Sequence, residues 1–226
     1  MKVNPGVRAP YYFVDLASND AIDISNTVRL EEEGWNGLCV EPNPVYWYRL
    51  AHRKCRMAGT FVGGNVDGAP VDVTLENKAF GGIVGDEMDN KPSSGAVIQK
   101  RFTISIKTLF ESFAVPSTIN YMSLDVEGAE EIILESFPFD SYRICILTVE
   151  RPNLNVQATL KSHGYLFVST LMYFGETLWI HQSILSILDM SRILTIVATL
   201  RKNKRPKKGE LVFDMESGVN HVFDGI

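Results

Sequence analysis

The sequence predicts an α/β fold: a mostly parallel β-sheet with helices on both faces, finished by an antiparallel hairpin. Three observations predict it. Apolar runs of strand length alternate with helical patterns, the signature of a parallel sheet buried on both sides. Four of those runs end in an acid: Asp15, Glu41, Asp125 and Glu150. Two later runs, "YLFVST" and "TLWIH", follow each other closely enough to pair as the closing hairpin.

In chain order the strands are expected at Tyr11–Leu16, Gly37–Val40, Thr60–Gly64, Ile119–Leu124 and Ile144–Val149. Helices are expected between them at Ser25–Glu33, Pro44–Arg53, Ala129–Ser136 and Leu154–His163. The last has Lys161 and His163 in its final turn and Gly164 after it, an ordinary helix stop. In the first, Ser25, Asn26 and Thr27 are cap-type residues and Glu31 to Glu33 read as a solvated face. Gly81 to Gly95 is rich in glycine and serine with little periodicity, and reads as a mobile loop over the sheet edge. After His181, Ile184, Leu185, Leu188, Ile193, Val197 and Leu200 form a broad apolar stripe. That stripe is expected to dock on the domain or on a partner, as a homodimer contact or a contact within a parent polypeptide.

At 226 residues the chain suits one domain, here 1–182, with an appendage, 183–226, made of the C-terminal helix and a basic tail. A net charge of −5 gives no overall basic field, so nucleic acid is not an expected partner. The exception is "RKNKRPKK", Arg201 to Lys208, read as a solvated tail. "SILSILDMSRILTIVATL" carries Asp189 and Arg192 and is too polar to span a membrane, and no apolar signal core opens the chain. Cys39, Cys55 and Cys145 form no CxxC pair, and the two that lie in apolar runs read as buried small hydrophobes; this odd, sparse set favours unpaired thiols in a reducing compartment and a cytoplasmic location.

The strand-end acids carry the functional reading. In an open α/β sheet, ligands bind outside the carboxyl ends of the strands, where the strand order reverses. Any one acid there fits a cap or a turn; four together point to a site. Glu41, in "GLCVEPNP", ends the second strand, where nucleotide-binding α/β proteins hold the ribose hydroxyls with a carboxylate. The loop after the first strand, "DLASNDAIDISNT", has no glycine, and the chain has no P-loop, so a glycine-rich pyrophosphate cradle is not expected. A nucleoside without a pyrophosphate fits, and S-adenosylmethionine is the common cofactor of that description.

The order of motifs resembles the FkbM-type methyltransferases, a branch of the Rossmann-like, class I, S-adenosylmethionine-dependent enzymes. "FVDLASNDAIDISNT", "VEPNP", "YMSLDVEGAEEIIL", "ILTVERPN" and "HGYLFV" carry the resemblance over about residues 11 to 181. It implies that Asp15, Ala17, Ser18 and Asn19 line the amino-acid end of the cofactor and that Glu41 holds the ribose with Asn43 beside it. It also implies Asn65, Val66 and Asp67 at the adenine, with Asp125 and Glu127 facing the methyl group and the acceptor. The family's D-x-G-A-N-x-G motif has alanines, Ala17 and Ala21, in both glycine places, and an alanine disfavours positive φ. The first strand starts some ten residues in, as in a domain of a longer protein or a minimal viral-type enzyme.

The expected activity is methyl transfer to a hydroxyl, with a sugar or glycan implied by the family's usual substrates. Asp125, Glu127 and Glu150 are the candidate bases, and the adjacent acids either raise one another's pKa or share a hard cation such as Mg²⁺. Two of them have a structural alternative, Glu127 as a first-turn acid and Glu150 as a partner of Arg151, and His181 reads as a strand-end histidine rather than a base. Tyr46, Trp47 and Tyr48 either pack their helix on the sheet or offer a ring to adenine. The competing functions are a catalytically silent binding module, suggested by the two alanines, and RNA methylation, suggested by the basic tail alone.

Overall fold

The computed structural model describes residues 10–75, 81–85, 88, 92, 94–203, 211–217 and 219–222. The elements in order are β1 (Tyr12–Leu16), α1 (Val28–Glu32), β2 (Asn36–Val40), α2 (Trp47–Leu50), β3 (Arg56–Ala58), β4 (Phe61–Gly63), β5 (Pro70–Thr74), β6 (Gly82–Ile83), β7 (Gln99–Ser105) and α3 (Ile106–Ser112). They continue with β8 (Thr118–Leu124), α4 (Glu130–Glu135), β9 (Arg143–Glu150), α5 (Leu154–Ser162), β10 (Tyr165–Thr170), β11 (Glu176–His181), α6 (Met190–Asn203), β12 (Leu211–Asp214) and β13 (Val219–Val222).

Seven strands form the large sheet in the order β10-β11-β9-β8-β1-β2-β3. From β9 to β3 every pairing is parallel; β11 joins β9 antiparallel, and β10 closes the edge as its hairpin partner. The chain runs outward from β1 through β2 to β3 and later returns to β1's other side as β8, so strand order reverses between β1 and β8. The strands near this reversal are apolar because helices cover both faces. Val14, Leu16, Met122, Leu124, Leu147 and Val149 are all shielded from solvent in the main core. Phe110 of α3 anchors one side of that core, edge-on to Phe137 and Tyr142.

Caps set the helix limits. Ser105 accepts a bond from the Thr108 N–H to begin α3, and Asn153 accepts one from the Val156 N–H to begin α5. Gly164 follows α5 at φ +80°, the left-handed stop that the sequence signals.

Several expectations are corrected. The third strand of the large sheet is β3, not Thr60–Gly64, whose core β4 pairs with β7 in a second sheet ordered β4-β7-β5-β6. "FVG" is the more apolar run and looks like the better strand, whereas "RMA" owes its place to pairing with the buried β2. Neither β7, with its basic start, nor α3 is evident from periodicity. The stripe after His181 is two pieces: a 3₁₀ stretch at Gln182–Ile187 and α6, separated where Asp189 accepts from the Arg192 N–H.

Glu31 is not solvated. It is buried, paired with Arg53 at 3.1 Å, and accepts the N–H groups of Lys54 and Cys55. Cys39 and Cys55 are joined by a disulfide, so the premise of three unpaired thiols behind the reducing-compartment expectation does not hold for them. Cys145 alone is free, and buried. Part of the expected tail is the β12–β13 hairpin. Residues 204–208 of the basic run, and residues 86, 87, 89–91 and 93 of the expected loop, lie outside the described residues. No helix among the described residues is long and apolar enough to cross a membrane.

Phe110→Ala should cost about 3–5 kcal/mol, because it empties a ring-sized space that its neighbours only partly refill. Urea denaturation followed by fluorescence measures this, with a lower midpoint and an unchanged slope as the expected result.

Candidate functional site

A cavity of about 940 Å³ opens at the carboxyl ends of β1, β2, β8 and β9, at the reversal of strand order. Asp15, Glu41, Asp125, Glu127, Glu150 and Glu176 line it, and Arg151 is the one cation among the described lining residues.

At the β1 end, the chain leaves the sheet through a turn held by its own polar groups and by the end of β2. The Ser18 N–H donates to the Val40 carbonyl at 3.0 Å, and the Ser18 hydroxyl to the Asp15 carbonyl at 2.8 Å. The Asn19 N–H donates to Glu41 Oε2 at 2.8 Å. Closing this turn puts Ala17 at φ +59° and Asn19 at φ +55°. Asparagine tolerates that region; alanine carries a cost of roughly 1–2 kcal/mol there. So the first alanine does sit where the backbone wants glycine. Ala21 has no such need: it is not among the positive-φ residues, and its buried methyl belongs to the core cluster of Phe13, Leu50 and both bridged cysteines.

The side chain of Asp15 is buried and accepts the Thr27 hydroxyl at 2.6 Å. Burial pushes its pKa up to about 6, against the pull of Thr27 and the more distant Arg53. Glu41 is similar. Its Oε1 accepts the Asn43 N–H at 2.7 Å, and burial, reinforced by Asp15, raises it to about 7 despite the bonds from Asn43 and Asn19. Each Glu41 oxygen keeps acceptor capacity beyond its single backbone bond.

Asn43 is buried beside the site and holds it in shape: its side chain accepts the Val45 N–H and opens the 3₁₀ turn at Pro44–Tyr46. Of the aromatic cluster, Trp47 donates its indole N–H to the Glu41 carbonyl at 2.8 Å, Tyr46 lines the cavity, and Tyr48 lies out against His52. Asn65, Val66 and Asp67 are not brought to the cavity. Asp67 instead accepts the Ser105 N–H and the Thr108 hydroxyl at the start of α3, and Val66 is exposed. Thr60, Phe61 and Val62 line the wall in their place.

At the β8 and β9 ends, the acids crowd. Carboxylate oxygens of Asp125, Glu127 and Glu150 lie within 4.8 Å of one another, close enough to share a hard cation. The positive charge placed among them is Arg151, 2.6 Å from Glu150 and 3.3 Å from Glu127. Glu127 at φ +56° and Arg151 at φ +42° are both left-handed, so this contact is held by strained backbone on both sides. The helix-start duty suspected for Glu127 falls to Glu130, which accepts the Val126 N–H at 2.9 Å. Glu127 is thereby left facing the cavity. Burial first, then Glu150, Glu176 and Glu127, push the Asp125 carboxyl well above the usual range.

Sequence reasoning missed Glu176. It opens β11 directly opposite Glu150, and burial pushes it up to about 7, with Glu150 adding to the rise and Thr148 opposing it. Two acids facing each other across a ladder repel. Only the pairing register of the closing hairpin reveals it, and no run of residues encodes that register alone. Asn220 of β13 was missed too: it reaches the cavity from a hairpin docked by the Phe213 N–H on the Tyr173 carbonyl. His181, by contrast, accepts the Ser183 N–H and does not line the cavity.

These features define an α/β protein with an acid-lined ligand cavity at the switch point of a mostly parallel sheet. The methyltransferase FkbM domain matches residues 15–171, more than half of the chain, and the chain belongs to that family. No curated protein matches it.

Two outcomes follow. Ala17→Gly removes the left-handed penalty and should hold or raise Tm in a thermal melt. In the unfolded chain carboxyls titrate near pH 4, whereas Glu41 and Glu176 keep their protons to about 7 when folded. Below pH 4 both states are protonated; above it the folded chain must retain protons the unfolded chain gives up, so stability falls as pH rises towards 7. Glu176→Gln should flatten that fall and raise Tm at pH 8 by about 3 °C for each kcal/mol recovered.

Proposed function

We propose that the chain is an S-adenosylmethionine-dependent O-methyltransferase whose acceptor is a hydroxyl of a sugar or glycan. The observation that carries this is Glu41: a buried carboxylate ending the second strand, anchored by two backbone N–H groups and still facing the cavity. The strand order β3-β2-β1-β8-β9-β11-β10 supports a Rossmann-like class I methyltransferase sheet.

The residues present fit the cofactor. It carries a sulfonium and an ammonium, and a cavity with six carboxyl groups and one guanidinium favours cationic ligands. Asp15, Ala17, Ser18 and Asn19 would hold its amino-acid end, Glu41 its ribose, and Phe61 and Val62 its base. Bound there, it supplies an electrophilic methyl group.

The chain's own part is alignment and proton removal. Asp125 is the base of choice: it lines the cavity at the end of β8, and in its ionised form a carboxyl raised by burial and by Glu150, Glu176 and Glu127 takes a proton more readily than an ordinary one. Arg151 fixes the carboxylates of Glu127 and Glu150 around the acceptor's entry. The sugar rests on the family's usual substrates, and a homodimer through the segment after His181 remains part of the same proposal. A metal is not required by it, because Arg151 already supplies the charge between Glu127 and Glu150.

Calorimetric titration of S-adenosylhomocysteine tests the cofactor. Micromolar binding that Glu41→Ala weakens roughly 10- to 100-fold is expected; no binding to folded protein at millimolar ligand would instead favour a silent binding module. With labelled cofactor and a sugar panel, Asp125→Asn should lower turnover about 10²- to 10⁴-fold while leaving S-adenosylhomocysteine affinity within a few-fold.

A further inference from the structure

The Cys39–Cys55 disulfide joins residues separated by 16 in sequence, and the loop it closes carries Glu41, Pro42 and Tyr46, all lining the cavity. Glu41 lies two residues beyond Cys39, and its N–H bonds to the Ala58 carbonyl at 2.9 Å, so the sheet continues unbroken from the bridge to the carboxylate. A second path leaves the other cysteine. The Cys55 N–H donates to Glu31, Glu31 pairs with the buried guanidinium of Arg53, Arg53 donates to the Thr27 hydroxyl at 3.1 Å, and that hydroxyl donates to Asp15. Both acids at the β1–β2 end of the cavity are thus tied to one covalent bridge.

Cys39 is 0% and Cys55 7% exposed. A folded chain keeps reductant away from such a bond, so its state is settled while the chain folds. Forming it oxidises two thiols, and the two electrons and two protons reduce an external disulfide, such as oxidised glutathione, to two thiols.

We infer that this disulfide is a staple that positions the cofactor end of the cavity, so that the redox state in which the chain folds sets how tightly it binds its nucleoside cofactor. The inference rests on the cofactor reading above. Without the bridge, the segment between Cys39 and Cys55 regains conformational freedom, and each binding event must order it again.

The test compares the full chain refolded with a glutathione redox mixture against the same chain refolded and kept with excess phosphine reductant. Thiols counted in denaturant should number one in the first sample, from Cys145, and three in the second. The oxidised form should bind S-adenosylhomocysteine about tenfold or more tightly than the reduced form, and the segment Glu41–Tyr46 should exchange its amide hydrogens faster when reduced. Equal affinities of the two forms, or three thiols in the oxidised sample, overturn the inference. If neither form binds but exchange still rises on reduction, it is the cofactor reading that fails, and the bridge is shown to order the segment without setting an affinity. Should the reduced chain not refold, the Cys39→Val/Cys55→Ala double variant, which keeps the apolar filling, replaces it in the same comparison.

Discussion

Buried negative charge at the carboxyl edge of the sheet is the constraint on which the rest of the site depends. Each strand-end acid is expensive to desolvate, and each is held by a different device. Asp15 has a hydroxyl whose own neighbour is Arg53. Glu41 has two backbone N–H groups, one of which exists only because the preceding turn runs left-handed through Ala17 and Asn19. The β9 side has a guanidinium shared by Glu127 and Glu150, and a proton that Glu176 keeps up to about pH 7. The strain at Ala17, Glu127 and Arg151 is therefore part of the same arrangement and not scattered irregularity.

The central layout was legible in the sequence because it rests on local signals. Apolar runs buried on two faces marked β1, β2, β8 and β9, and the acids at their ends are adjacent in sequence to those runs. The Gly164 stop and the hairpin were legible for the same reason. What could not be read depends on partners far along the chain. β3 is a poor strand by composition and a real one by pairing; Glu176 matters only through its register with Glu150. Asn65 to Asp67 follow an apolar run that belongs to the other sheet, so their position relative to that run pointed to the wrong wall.

Glu31 and the cysteines illustrate a further limit. A triple-glutamate run reads as solvated because charges are seldom buried, and three widely spaced cysteines read as unpaired. Both readings changed when β3 took its place beside β2. That single pairing brings Cys55 to Cys39 and folds Arg53 back onto Glu31, so one short strand decides the fate of four side chains.

The position of β1 has a consequence for how the cavity comes into being. Its Tyr12 N–H bonds to the Asn120 side chain, 108 residues further on, and the cavity wall takes a residue, Asn220, from the hairpin held on Tyr173 by Phe213. A growing chain that has made β1 and β2 holds half a crevice with a bare strand edge, a surface prone to pairing with other chains. Such long-range closure makes for slow folding. The lining runs from residue 15 to residue 220, so the wall is assembled from nearly the full span of the described chain and not from any one stretch of it.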